Sequence, residues 1–372
     1  MRKPKKSTIF RFVYIAATII VLLIIAMTNE DFRDLPEVIA GLNYLWLLGG
    51  AGCIIIYWLT DGWLLGDITS YMSDIKLPYR KSLKIGMIGL YYCALTPSAT
   101  GGQPVQVMHM SREKIPVGTG TCIVLIKFIA YALTTITYYL IALACLNGFY
   151  MEHYPAMYWL SLAGFLIMCG MIFLVIFTIV KKDGMINFGK KIIGLFSTKI
   201  KVIKDPDEAI ENFTKVIEDY AQAGRYIIKH KRRALGSYGI SMLNFFFYFA
   251  LTYFIYRSFN MDEETFPMIM MLQSLLYSAI NYFPTPGGAG MSESGFYVIF
   301  SAFFPSNLAF AAMLIWRVFT YYLILVVGTL IVIFDEAFNI KRSSGQIPIE
   351  TLTETESNSG QPPETKEIIT TR

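Results

Sequence analysis

Three charged side chains stand in strongly apolar surroundings. Lys127 lies ten residues into the apolar run Val117–Cys145, Arg317 ten residues into Asn307–Phe334, and Glu293 shortly after Gly287-Gly288. A charge at the centre of a membrane helix costs roughly 2.5–3.5 kcal/mol on insertion scales, so it faces a cavity or a partner. In a functional reading Lys127 and Arg317 meet a phosphate such as that of a lipid, and Glu293 binds a cationic group or helps to gate. In a structural reading Glu293 pairs with Arg317 or Lys127 to hold the bundle, or complements its own helix N-terminus. A phosphate-binding role is the expectation for Lys127 and Arg317; Glu293 stays open between the two readings.

Two Pro/Gly-rich breaks are the natural place for these charges to act. Thr96-Pro97-Ser98-Ala99-Thr100-Gly101-Gly102-Gln103-Pro104 interrupts the apolar segment Leu83–Met110, and Phe283-Pro284-Thr285-Pro286-Gly287-Gly288-Ala289-Gly290 interrupts Phe266–Phe304. Irregular backbone at membrane depth must be buried in protein or line a watery cavity. After each break a half-helix starts, near Pro104 and near Met291, and its free N–H groups and dipole favour an anion. Gly101, Gly102, Gly287 and Gly288 permit tight turns and close backbone approach. Entering from opposite faces, the two breaks should meet near the centre. The alternative is a pair of purely structural hairpins. Gln103, inside the first break, is the best candidate among the polar residues; interhelical hydrogen bonds account for Asn244, Gln273 and Asn281.

Other chemistries find little footing. Cys53, Cys93, Cys122, Cys145 and Cys169 all lie in apolar stretches with no Cys-x-x-Cys pair, and read as buried hydrophobes. His109, His153 and His230 are far apart, so no metal site is expected. Gly288-x-Gly290 follows no strand and is not a dinucleotide motif. No nucleophile–base pair for hydrolysis stands out, and no cofactor or direct nucleic-acid binding is expected.

The elements that must position these residues are helices. Of 372 residues, 55% are hydrophobic and 16% charged, which departs from soluble domains on both counts. Ile9–Met27, Leu42–Thr60, Val117–Cys145, Met157–Val180, Ala234–Tyr256 and Asn307–Phe334 are each long enough to span a bilayer. Neither half of either broken segment is. Arg2, Lys3, Lys5, Lys6 and Arg11 precede the first run, which lacks a small-x-small cleavage site and reads as an uncleaved crossing.

Lys and Arg are retained on the cytoplasmic side. That places the N-terminus, Asp61–Lys84, Arg112–Lys114 and the loop Lys181–Arg233, with its thirteen Lys and Arg, inside. The acidic stretches Asn29–Glu37 and Asp262–Glu264 fall outside. This parity holds only if both broken segments return to the face they entered. The expectation is an all-α polytopic membrane protein with six transmembrane helices, two re-entrant hairpins and both termini cytoplasmic. Its halves, residues 1–150 and 151–340, repeat the order crossing, crossing, hairpin, crossing in opposite directions, and Gly101 and Gly287 lie half a chain length apart. Inverted repeats with Pro/Gly-broken segments at matching positions point to a transport site near the midplane. Within the loop, Asp205-Pro206-Asp207-Glu208 opens an amphipathic helix that either lies on the inner leaflet or packs on the bundle. Residues 341–372 read as a disordered cytoplasmic tail.

The paired break motifs followed by Glu293 resemble the flippase-like membrane domain of lysylphosphatidylglycerol synthases, the multiple peptide resistance factor family, and its stand-alone relatives. The resemblance covers roughly Phe10 to Ile340. It implies movement of aminoacylated phosphatidylglycerol to the outer leaflet of the cell membrane, lower negative surface charge and resistance to cationic peptides. In full-length members a separate cytoplasmic domain makes the lipid from lysyl-tRNA. Here only a short polar tail follows Lys341, too small for that domain. Phosphatidylglycerol lysyltransferase activity is the rival reading that the family name carries. A third is a membrane subunit docking a separate synthase through Lys181–Arg233. The implied partners are a phospholipid, the membrane and such a synthase, with association between copies left open.

Overall fold

A computed structural model describes residues 35–199, 205–281 and 283–344. Every regular element among them is helical: α1 (Leu35–Ala40), α2 (Tyr44–Met72), α3 (Tyr79–Leu95), α4 (Gly102–Arg112), α5 (Val117–His153), α6 (Pro155–Val180), α7 (Lys182–Lys199), α8 (Pro206–Lys229), α9 (Lys231–Ser258), α10 (Phe266–Ile280), α11 (Met291–Phe300), α12 (Ser306–Arg317), a π-helical turn (Val318–Tyr322) and α13 (Leu323–Ser344). The described residues divide into two units, with the boundary between Thr329 and Leu330.

Local sequence sets the helix boundaries. The Asn43 side chain caps α2, Thr265 caps α10 just ahead of Pro267, and Asp205 caps α8 ahead of Pro206, each accepting backbone N–H groups of the first turn. Among the described residues, five helical stretches are long and apolar enough to cross a membrane: α2, α5, α6, α9 and Leu308–Asp335. They match five of the six expected crossings. The sixth, Ile9–Met27, lies outside the described residues, as does the tail beyond Ser344. One boundary needs correction. The second crossing does not stop at Thr60, because α2 continues to Met72 and carries Asp61 and Asp67 with it. The expected loop from Asp61 to Lys84 shrinks to the link between Met72 and Tyr79.

Both broken segments fold back to the face they entered. Lys81 near the start of α3 is ion-paired with Glu113 just past the end of α4, so the first hairpin begins and ends at one level. In the second, Phe266 packs on Tyr253 of α9 with ring centroids 5.1 Å apart. Phe304, after α11, packs on Tyr256 and Phe259 at the same end of α9, each at 5.5 Å. The two tips then touch: Pro97 and Pro286 form an isolated antiparallel bridge. The described order α2, hairpin, α5 recurs as α9, hairpin, α12–α13, and α2 and α9 share the most extensive contact among the described helices.

A topological prediction follows. In a background without native cysteines, Ser111→Cys and Lys84→Cys should both resist an impermeant thiol reagent in intact cells. Strong labelling at Ser111→Cys with none at Lys84→Cys would mean that the first broken segment crosses.

The amphipathic α8 settles on the bundle. Ile217, Ala221, Ala223 and Gly224 are buried, with Gly224 against Ile179 of α6, and the Cys122 thiol of α5 donates to the Asp219 carbonyl at 3.1 Å. Tight helix approach at small residues is the usual packing solution in membrane bundles, where lipid offers no hydrophobic drive.

Candidate functional site

The second break builds its site around Arg317. The chain turns through Gly287, Gly288 and Gly290, at φ of 58°, 66° and 86°. That left-handed region is costly for any residue with a Cβ. Arg317 is 4% exposed. Its Nε donates to Glu293 Oε1 at 2.6 Å and its Nη1 to the Gly287 carbonyl at 3.2 Å. Its Nη2 is buried with no hydrogen-bond partner among the described residues. The other oxygen of Glu293 accepts the Gly290 N–H at 2.7 Å, capping α11. Both structural expectations for Glu293, a pair with Arg317 and a helix-terminal complement, are therefore realised in one side chain.

The π-helical turn directly after Arg317 places Tyr321. Its ring centroid lies 4.7 Å from the guanidinium carbon, a cation–π contact. The same ring fills the space beside Gly287, where an added Cβ would come within 2.0 Å of it. Tyr321 thus fixes both the cation and the turn. Single π turns within α-helices concentrate at functional sites.

Lys127 has a different partner from those expected. Its Nζ sits 2.8 Å from Asp61 Oδ1 and donates to Oδ2 at 2.9 Å, while the Tyr131 hydroxyl also donates to Oδ1. Asp61 is fully buried and Lys127 is 6% exposed. Two glycines make room for the carboxylate. Gly62 of α2 lies against the Leu83 backbone of α3, and a Cβ at Gly86 would meet Asp61 Oδ2 at 2.6 Å. The pairing of Lys127 with Glu293 is replaced by one with Asp61. Removing one partner of a buried pair strands the other and costs about 3–5 kcal/mol. Lys127→Leu and Asp61→Leu should each lower the yield of folded protein, and the double replacement should recover it. Size-exclusion profiles of the three variants check this.

Aromatic rings extend from the Lys127–Asp61 pair across α9 and α10 to α2. Tyr131 meets Phe245 at 5.2 Å, Phe245 meets Tyr277 at 5.4 Å, Tyr277 meets Tyr248 at 5.7 Å, and Tyr248 meets Tyr57 at 5.1 Å.

In the first break, the arms rather than the tip demand glycine. A Cβ at Gly102 would sit 2.6 Å from the Gly89 carbonyl oxygen and 2.2 Å from Cys93 Sγ, and one at Gly101 2.5 Å from Thr96 Cγ2. The left-handed residues at the tip are Ser98 and Ala99, at φ of 51° and 55°. Gln103 is exposed in the first turn of α4, whereas Gln106, one turn on, is buried against Gly89. Asn244 donates to the Tyr57 carbonyl and Thr60 Oγ1 at 2.6 and 2.7 Å, and Gln273 accepts from Thr252 at 2.9 Å. These bonds join helices, as expected. Among the described residues no group of three or more His, Cys, Asp or Glu could hold a metal ion.

Re-entrant broken hairpins touching at their tips, with buried charge pairs beside them, define a polytopic membrane protein built around an internal polar site. The sequence profile of the family described as Lysylphosphatidylglycerol synthase TM region matches residues 12–328, and the chain belongs to that family. A UPF0104 membrane protein of Archaeoglobus fulgidus is 23% identical over 317 residues, covering 81% of this chain and 92% of that protein. No solved structure matches.

Proposed function

We propose that this protein translocates an anionic or aminoacylated phospholipid, such as lysylphosphatidylglycerol, between the leaflets of the cell membrane, with both termini cytoplasmic. One observation carries the reading: the unused Nη2 of buried Arg317, beside a break in which Pro284, Ala289 and Gly290 are exposed. Irregular backbone at membrane depth that is not covered by protein lines a watery cavity. A guanidinium there offers a phosphate a charged donor that the protein leaves vacant. Lys127 and Arg317 are the phosphate ligands in this reading. Glu293 gates Arg317 or takes the amine of an aminoacyl headgroup. Gly101, Gly102, Gly287 and Gly288 shape the two tips, and Gln103 lines the approach from the exposed side. Movement of an aminoacylated lipid outward would reduce killing by cationic peptides.

The test is a leaflet-resolved lipid comparison of cells with and without the protein, followed by purified protein in vesicles. A faster exchange of fluorescent phosphatidylglycerol than in empty vesicles is the expected result. Equal rates would sink the proposal.

A second reading, a membrane subunit that docks a separate synthase, draws on α7. Its Phe188, Ile192 and Leu195, spaced on one helical face, are exposed. Co-purification of a synthase with the full chain but not with a chain lacking residues 181–233 would favour it. Radiolabelled lysyl-tRNA with the purified protein and phosphatidylglycerol tests lysyltransferase activity directly.

A further inference from the structure

The four charges of the two sites cancel. Asp61 balances Lys127 and Glu293 balances Arg317, each through direct contact. An anionic headgroup entering this interior adds one uncompensated negative charge, which a low-dielectric site does not tolerate. A proton arriving with the headgroup restores neutrality. We infer that the protein binds a proton on Asp61 together with each anionic headgroup and carries both across. The inference rests on the reading of Lys127 and Arg317 as phosphate ligands.

Geometry selects Asp61 over Glu293. Glu293 spends its two oxygens on Arg317 and on the Gly290 N–H that caps α11, and its side chain is 26% exposed. Protonating it would weaken both the cap of α11 and the bond to Arg317. Asp61 is buried and holds Lys127 with both oxygens. While it is ionised, Lys127 has no charge to spare for a phosphate. Protonation of Asp61 converts the carboxylate to a neutral acid and weakens its hold on Lys127. The ammonium keeps its own protons and turns to the phosphate. When the headgroup leaves, Asp61 gives its proton to the water on that side and Lys127 returns.

The groups set against Asp61 come from three of the described helices. Facing Asp61 are Lys127 and Tyr131 from α5, Cys93 from α3 and Tyr57 from α2 itself. Tyr277 from α10 faces Tyr57 and Tyr131 in turn, and α9 contributes Tyr248 beside Tyr57 and the uncharged Asn244 at Thr60. Asp67, farther along α2, accepts from Ser237 of α9 at 2.7 Å. The two cations thus differ in kind: Arg317 keeps a donor open at rest, while Lys127 becomes available only as Asp61 is protonated.

The experiment uses the full chain in phosphatidylcholine nanodiscs titrated with phosphatidylglycerol. Difference infrared spectra should show the carbonyl stretch of a newly protonated carboxyl, shifted when the protein is grown with aspartate labelled at its side-chain carboxyl with carbon-13. Phosphatidylcholine alone should give no such band, since its headgroup is neutral overall. Asp61→Asn should remove it and Glu293→Gln should keep it; the isotope shift in wild-type protein makes the assignment to aspartate even if a variant fails to fold. In vesicles, one unit of pH gradient should shift the leaflet ratio of phosphatidylglycerol about tenfold. Lipid movement without the band overturns the coupling and leaves transport standing. The band without movement overturns transport and leaves headgroup-linked protonation. A band insensitive to aspartate labelling overturns the assignment to Asp61.

Discussion

Arg317→Leu should slow phosphatidylglycerol movement on the order of 10- to 100-fold, since a hydrogen bond to a charged group is worth about 1.5–3 kcal/mol. The substitution removes the open Nη2 and the Nη1 bond to the Gly287 carbonyl together. Arg317→Lys should keep part of the activity, because an ammonium restores the charge but not the planar fork. A purely structural role leaves a different signature. Glu293 would lose its Nε partner while still capping Gly290, so the main effect would be lower yield. Glu293→Gln combined with Arg317→Leu would then restore yield and transport alike. Yield by size-exclusion and leaflet distribution by fluorescence quenching separate the cases. Normal yield with lost movement supports the phosphate site, whereas full rescue by the double change removes Arg317 from transport.

The breaks should be the next most sensitive region, and each glycine should fail for its own reason. Gly102→Leu must force apart two arms already in contact at the Gly89 carbonyl, so both yield and transport should fall. Gly288→Leu meets little but Ser292, yet it must hold φ near 66°. Left-handed backbone costs a residue with a Cβ about 1–2 kcal/mol. Most of the protein should therefore still fold, with the turn displaced. Transport per folded molecule is expected to drop several-fold in Gly288→Leu, and wild-type transport in both variants at normal yield would exclude the breaks as the site.

Much of this arrangement was legible in the sequence because it obeys strong rules. Apolar run length gave the five crossings among the described residues, and the charges at Lys81–Lys84 and Arg112–Lys114 demanded a hairpin that returns, which the Lys81–Glu113 pair bears out. The breaks were legible as Pro and Gly clusters, and their meeting is realised at Pro97 and Pro286. Asp61 was missed because it directly follows an apolar run and looks like the first residue of a loop. Only tertiary contact, with α3 and α5 closing over it, shows that its helix continues. Likewise Gln103 was favoured over Gln106 by its place in the break. Helix α4 begins at Gly102, which leaves Gln103 on the outer side of the first turn. In the first tip the left-handed positions fell to Ser98 and Ala99, not to the glycines, since Gly101 and Gly102 are needed where the arms touch. Composition marks a turn but does not say which residue bears its strain.

The single bridge between Pro97 and Pro286 sets how firmly the two hairpins hold each other. Beyond it each segment turns on itself: Ser98 and Gly287 are left-handed, and the Ala99 and Gly288 N–H groups bond back to the Thr96 and Thr285 carbonyls. The seam stays one bridge long. Parting it costs on the order of one or two backbone hydrogen bonds, each worth about 0.5–1.5 kcal/mol net, while the glycine-packed arms on either side stay intact. Under the proposed translocation, in which the interior opens to each leaflet in turn, such a seam is a latch and not a weld.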